Sequence, residues 1–256
     1  LPNIKRKFLD GGADFQNVYC ETPLCAPARA SFLTGMHTRD HGVTRLDASL
    51  LNPHLNETIA VALHDAGYWT MLLGKYLNLY HPDRDGRDPG WDEWLASSWA
   101  YTGFGYQQSD NGRATLAGFK PSDYVTDVLA RRAVRFIRRS RRHPFFALVS
   151  TYAPHKPYTP APRHRSLFRR LPMPRGGSFN APTTGAPRWL GQRRALRAGQ
   201  RLHLLRAYRM RVRSVQAVDE MIGRLRATLR TAGVARRTYF VFSSDNGYHL
   251  GQHRLT

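Results

Sequence analysis

An α/β sandwich with a mostly parallel central sheet is the fold class this sequence predicts. Three observations predict it. Short, largely apolar runs at 68–73, 145–151 and 238–244 read as strands buried on both faces. Helical periodicities lie at 55–67, 123–139 and about 202–231. Strands and helices therefore alternate along the chain, the order that builds parallel sheets through crossover helices.

The elements follow in order. Residues 15–19, "FQNVY", are a weaker strand candidate. Pro27 suits the first turn of a short helix that Thr34-Gly35 ends. In 55–67, Asn56 is a candidate cap, Ile59, Ala62, Leu63 and Ala66 recur on one face, and Gly67 is a stop. The aromatic segment 97–109 runs into Asp110-Asn111-Gly112, a hairpin turn. Leu129, Ala133, Phe136 and Ile137 share one face of 123–139, and the arginines of 131–142 read as its solvated side. Residues 153–187 are rich in Pro and Gly and read as a surface excursion within one domain. "DRDGRD", 83–88, lacks the spacing of a calcium loop and reads as a turn-rich segment before Trp91.

Composition bounds the function. The chain has 256 residues, 41% of them hydrophobic, which is enough for a core. No apolar run reaches the roughly 18 residues of a membrane span. The opening "LPNIKRKFLDGG" has neither the apolar stretch of a signal peptide nor an initiator Met, so a cut or processed end is expected. The formal charge is +21 and only five of the 39 basic residues are Lys. Such a surplus attracts anions. The arginines are spread along the second half and not interleaved with aromatics, which argues against nucleic acid. Two cysteines, Cys20 and Cys25, make no disulfide framework and no metal-type CxxC pair; Cys20 reads as a small buried residue.

In open α/β sheets ligands bind beyond the carboxyl ends of the strands. Cys25 follows the weak strand, Gly74-Lys75 follows 68–73, Pro154-His155 follows 145–151, and Asp245-Asn246-Gly247 follows 238–244. Each alone is an ordinary loop residue. Together they are the convergence expected of an active site. Cys25 would sit just before the helix, near its positive end, with Arg29 four residues on, so that an anion meets backbone N–H groups and a guanidinium.

Cys25-x-Pro27-x-Arg29 followed by Thr34-Gly35 resembles the motif of the type I, formylglycine-dependent sulfatases, five positions over eleven residues. The resemblance implies an alkaline-phosphatase-like sandwich, with residues 1–256 as one catalytic domain. It implies that a formylglycine-generating enzyme oxidises Cys25 to an aldehyde, which hydrates to a diol. One hydroxyl would attack sulfur, and the other would expel sulfate by collapsing to the aldehyde. Asp245 and Asn246 resemble ligands of a divalent metal such as Ca²⁺, which would also meet residue 25. Lys75 resembles a lysine that binds a sulfate oxygen, and His155 a histidine near the leaving oxygen. The family's usual second histidine falls at Leu77, which leaves that role missing or open to Asn78.

"GKYLN", "YVTDVLA", "APHKPYTPAP", "RGGSFN" and "SSDNGYHLGQ" look like the N-acetylglucosamine-6-sulfatase branch. That branch implies a sulfated glycan substrate, such as a glycosaminoglycan, and an exported or lysosome-like setting. Two departures stand out. The family opens with a strand ending in an Asp-Asp pair, whereas this sequence offers only Asp10 and Asp14 there. The family also continues to a further lysine and a smaller subdomain, so the expectation is a sulfatase domain incomplete at both ends. A phosphate or phosphonate ester hydrolase, a basic anion-binding protein and an inactive copy are the alternatives.

Overall fold

A computed structural model describes residues 1–97, 99–174, 176–183 and 185–256, with Lys7 described by its backbone. Five strands form one sheet: β1 (Trp69–Lys75), β2 (Glu93–Ser97), β3 (Gln107–Asp110), β4 (Arg113–Leu116) and β5 (Phe145–Ser150). Their spatial order is β4-β3-β2-β1-β5. β1 runs parallel to both β2 and β5, with Leu72 opposite Trp94 on one side and Leu148 on the other. The outer β3–β4 hairpin is antiparallel. Its turn is the predicted one, because Asn111 and Gly112 both take positive φ (53° and 89°).

The pleat of β1 sorts its side chains between two cores. Met71 and Leu73 face one side, with Leu129, Ala133, Phe136 and Ile137 of α3 and Met221, Ile222 and Leu225 of α4. Leu72 faces the other side, with Trp94, Ala96, Leu51, and Ala26, Ala30 and Leu33 of α1. Here α1 is Cys25–Thr34, α2 Ile59–Asp65, α3 Val125–Ser140 and α4 Ala198–Thr231. The result is three layers, with helices on both faces of the sheet. The N-terminal turn is tied to α4: the Ile4 backbone N–H donates to Asp219 at 2.8 Å.

Several expectations are corrected. Helix α2 begins later than predicted. Thr58, not Asn56, is its cap and accepts from the Val61 N–H, while 48–57 form 3-10 turns. Cys25 is the first residue of α1, not the residue before it. Cys20 is exposed. Residues 15–19 and 238–244 are not strands. Phe15, Val18, Tyr19, Tyr239 and Val241 are all exposed, Tyr239 by 99%. A strand exists only where a neighbour takes up its N–H and C=O groups, and no described strand pairs with either run. The arginines of α3 are not simply solvated. Arg132 bonds the buried Glu93 and grips Asp110 with its two terminal nitrogens, and Arg139 reaches Glu93 from the next turn but one. Together they clamp α3 to β2 and β3.

Candidate active site

The site lies where β1 and β5 end and α1 begins. Leu24, in extended conformation, leads into α1 and accepts from the Ala28 N–H at 3.0 Å. Cys25 thus occupies the first turn, whose N–H groups have no helical partner. Pro27 fits there because its missing N–H costs no helical bond. Gly35, at φ 71°, ends the helix in the left-handed conformation.

Arg29 lies one turn on and binds two other segments. Its Nη1 donates to the Lys75 carbonyl at 2.8 Å and its Nε to Asp245 Oδ2 at 2.9 Å. Lys75 closes β1 and is buried, with its ammonium 3.9 Å from the same Asp245 oxygen. Gly74 makes this strand end possible. It takes φ +95°, and a Cβ there would stand 2.1 Å from the Ser150 carbonyl oxygen of β5.

His155 approaches from the loop after β5. Its Nδ1 lies 2.7 Å from the Lys156 carbonyl, which can only accept. Nδ1 therefore carries a proton. The Cys25 thiol is hydrogen-bonded to His155, and that bond more than any other contact draws its pKa below the ordinary thiol value. Burial opposes the shift, while the Lys75 charge adds to it. Lys75 in turn is pushed below an ordinary lysine, first by burial and then by the Arg29 charge.

Tyr101 forms the wall of the site. Its ring is 4.4 Å from the His155 ring between centroids, and the Lys75 ammonium lies 5.5 Å from its centre. Asn78 Nδ2 donates to the Tyr101 hydroxyl at 3.2 Å, and the buried Tyr152 packs edge-on behind it. Leu77 is fully buried in the core beside α1, so residue 77 faces away from the site and Asn78 faces Tyr101. Tyr101 escaped the sequence reading because β2 was not foreseen. The strand-end rule applied to 93–97 leads straight to it.

Of the six residues singled out in the sequence, five meet through these contacts: Cys25, Arg29, Lys75, His155 and Asp245. Asn246 is the sixth. It follows Asp245, and its N–H donates to Asp245 Oδ1 at 3.0 Å, while its own Oδ1 is buried without a partner. Arg175, in the "RGGSFN" stretch, lies outside the described residues.

The donor set for Ca²⁺ falls short. Asp245 and Asn246 offer two side-chain oxygen carriers, and Asp245 is already held by Arg29 and Lys75. Ca²⁺ takes about six to eight oxygens. Among the described residues no three His, Cys, Asp or Glu side chains cluster as a metal site. The described residues therefore do not fit a bound Ca²⁺, and the anion-binding charge they bring is that of Arg29 and Lys75. Formylglycine is a different matter. Residue 25 stands on a helix N-terminus beside the His155 ring and the Lys75 ammonium, where an oxygen at that position would meet hydrogen-bond donors.

The sulfatase family model matches residues 1–256, the whole chain. The chain belongs to the sulfatase family. This sulfatase chain is 34% identical over 271 residues to the N-acetylglucosamine-6-sulfatase of Homo sapiens, covering 99% of the chain and 49% of that protein. It is 33% identical over 270 residues to an extracellular sulfatase SULF-1 homolog of Drosophila melanogaster, covering 100% of the chain and 24% of that protein. The chain thus spans half or less of the length of these curated relatives. A solved structure in complex with its substrate, D-glucosamine-2-N,6-O-disulfate, superimposes with a TM-score of 0.79. It shares 22% identity, covering 99% of the chain and 62% of that structure. At that identity the likeness establishes the fold, the alkaline-phosphatase-like sandwich of sulfatases. No described helix is long and apolar enough to cross a membrane.

Proposed function

We propose that this sulfatase-family chain carries the site for hydrolysis of sulfate esters on a sulfated glycan, N-acetylglucosamine-6-sulfate or a related sugar, after conversion of Cys25 to formylglycine. The single observation that supports it is the convergence on the helix N-terminus that carries residue 25: Arg29 and Lys75 meet at Asp245, and Tyr101 packs against both His155 and Lys75. The formylglycine supplies a hydrated aldehyde as nucleophile and an exit that needs no second attacking water.

The other residues divide the remaining work. Arg29 and Lys75 neutralise the sulfate oxygens, and their burial strengthens that attraction. Asp245 orients both cations by bonding one and lying 3.9 Å from the other. His155, with its proton fixed on Nδ1, accepts a proton at Nε2 and can return it to the leaving oxygen. Tyr101 covers His155 and Lys75, which limits water on that side. Asp245 and Asn246, with residue 25, remain the candidates for a divalent metal only if further donors join them. The relatives' names support the glycan substrate. A formylglycine-generating enzyme is the maturation partner this reading requires.

The test is the mass of the residue 25 peptide from full-length protein made in its own host. A peptide lighter than the cysteine form and reactive towards a hydrazide probe supports the reading. An unmodified thiol in fully processed, sulfatase-active protein would sink it. The competing phosphate or phosphonate reading uses the same cations and predicts faster release of phosphate than of sulfate from matched esters.

A further inference from the structure

Arg211, on α4, stands at the lip of this site and has no part in the steps above. Its Nη1 donates to the Pro154 carbonyl at 3.1 Å, one residue before His155. Its guanidinium lies 4.5 Å from the centre of the Tyr248 ring, three residues after Asp245, and 5.7 Å from that of Tyr158. The Tyr158 hydroxyl donates to that of Tyr248 at 2.8 Å. One arginine thus joins the loop that carries His155 to the loop that carries Asp245.

The contacts leave its charge unanswered. Every partner of Arg211 is a carbonyl or a tyrosine, and no described carboxylate forms an ion pair with it. Arg211 is half-buried, and burial depresses its pKa. Arg132, half-buried like Arg211, is matched by two carboxylates. A desolvated cation without a counter-charge is costly. Two tyrosine rings keep its plane fixed, with Tyr248 about half exposed beside it. A planar fork held in this way is suited to a carboxylate or sulfate arriving from solvent.

We propose that Arg211 binds a second anionic group of the substrate, a carboxylate or a further sulfate, while the scissile sulfate lies on Arg29 and Lys75. The inference rests on the sulfatase reading and extends it: the preferred substrate carries two negative groups, as a stretch of sulfated glycosaminoglycan does. Arg211 is then a specificity residue, with Tyr158 and Tyr248 as its supports.

The experiment compares kcat/KM of the full-length protein on three sugars. They are N-acetylglucosamine 6-sulfate, glucosamine 2-N,6-O-disulfate, and a 6-sulfated glucosamine joined to a uronate. A charge-assisted contact predicts that Arg211→Gln costs about tenfold to a hundredfold more on a two-anion sugar than on the first. Whichever two-anion sugar suffers identifies the group read. Arg211→Lys, which keeps charge but not the fork, recovers part of the loss. Equal losses on all three sugars would reduce Arg211 to a staple between loops and overturn the proposal, as would no loss on any. If the wild type frees sulfate from none of them, the sulfatase reading falls by itself. Calorimetric binding of the same sugars then decides for Arg211: weaker binding of the two-anion sugars by Arg211→Gln upholds it, and equal binding overturns it.

Discussion

Arg29 Nε donates to Asp245 Oδ2 at 2.9 Å, across 216 residues of chain. The same guanidinium holds the Lys75 carbonyl at 2.8 Å. One side chain on α1 therefore fixes the end of β1 and the Asp245 loop together. Replacing it removes the charge proposed to bind sulfate and releases Asp245. Arg29→Lys restores charge but cannot reach both partners with a fork. The expected loss in sulfate-ester kcat/KM is about 100-fold, measured on the matured full-length protein. A loss below threefold would remove Arg29 from the site.

As an unmodified cysteine, Cys25 is a thiol with a lowered pKa, and the His155 hydrogen bond is the main cause. A lowered acid pKa means more thiolate at a given pH. Alkylation of Cys25 by iodoacetamide should therefore rise through its midpoint at a lower pH than that of an ordinary free thiol. His155→Ala should move the Cys25 midpoint upward, and Lys75→Met should move it upward by less, because the lysine's charge ranks below the histidine's bond. Identical profiles for the wild type and His155→Ala would refute the contact.

Gly74 carries a structural prediction of its own. At φ +95° a β-carbon would stand 2.1 Å from the Ser150 oxygen and 2.9 Å from Leu129 Cδ1. The β1–β5 ladder would have to open. Gly74→Ala should cost about 3 kcal/mol or more, read as a fall in the urea midpoint. Because Lys75 is the next residue, sulfatase activity should fall with it even below the unfolding temperature. An unchanged midpoint would contradict the close approach.

The clamp on α3 should matter to stability and not to chemistry. Arg132→Met leaves the buried Glu93 with Arg139 alone and leaves Asp110 unpaired. Breaking a buried pair by removing one partner predicts a loss of about 2–3 kcal/mol, at the low end because Arg139 remains. Chemical denaturation measures it. A cost under about 0.5 kcal/mol would mark these arginines as the solvated face that the sequence suggested.

The strands at 68–73 and 145–151, the α3 face and the Asn111-Gly112 turn were legible because each depends on neighbours within a few residues. So was α1, whose proline, helix end and left-handed Gly35 are local matters. Strand ends forecast the meeting of Lys75 and His155, since the parallel strands β1 and β5 deliver their ends to one edge, whereas Cys25 and Asp245 reach it without the strands expected before them. Tyr101 and Arg211 were not legible. Nothing near them in the chain distinguishes them from other aromatics and arginines; the contacts that do so span tens of residues.

By itself, the sequence determined the strands β1 and β5, the buried face of α3, where α1 stops, and which side chains are candidates for the site. The tertiary structure alone decided which apolar runs become strands, which arginines are paired, and which tyrosines close the pocket. The run 238–244 makes the difference plain. It too is an apolar run, yet it forms no strand and most of it stays exposed, because a strand's hydrogen bonds belong to its neighbour as much as to itself. Charge behaves likewise. Arg132 and Arg211 are identical in sequence terms, and only the placement of Glu93 and Asp110 against one, and of two tyrosines against the other, separates a clamp from an open anion site.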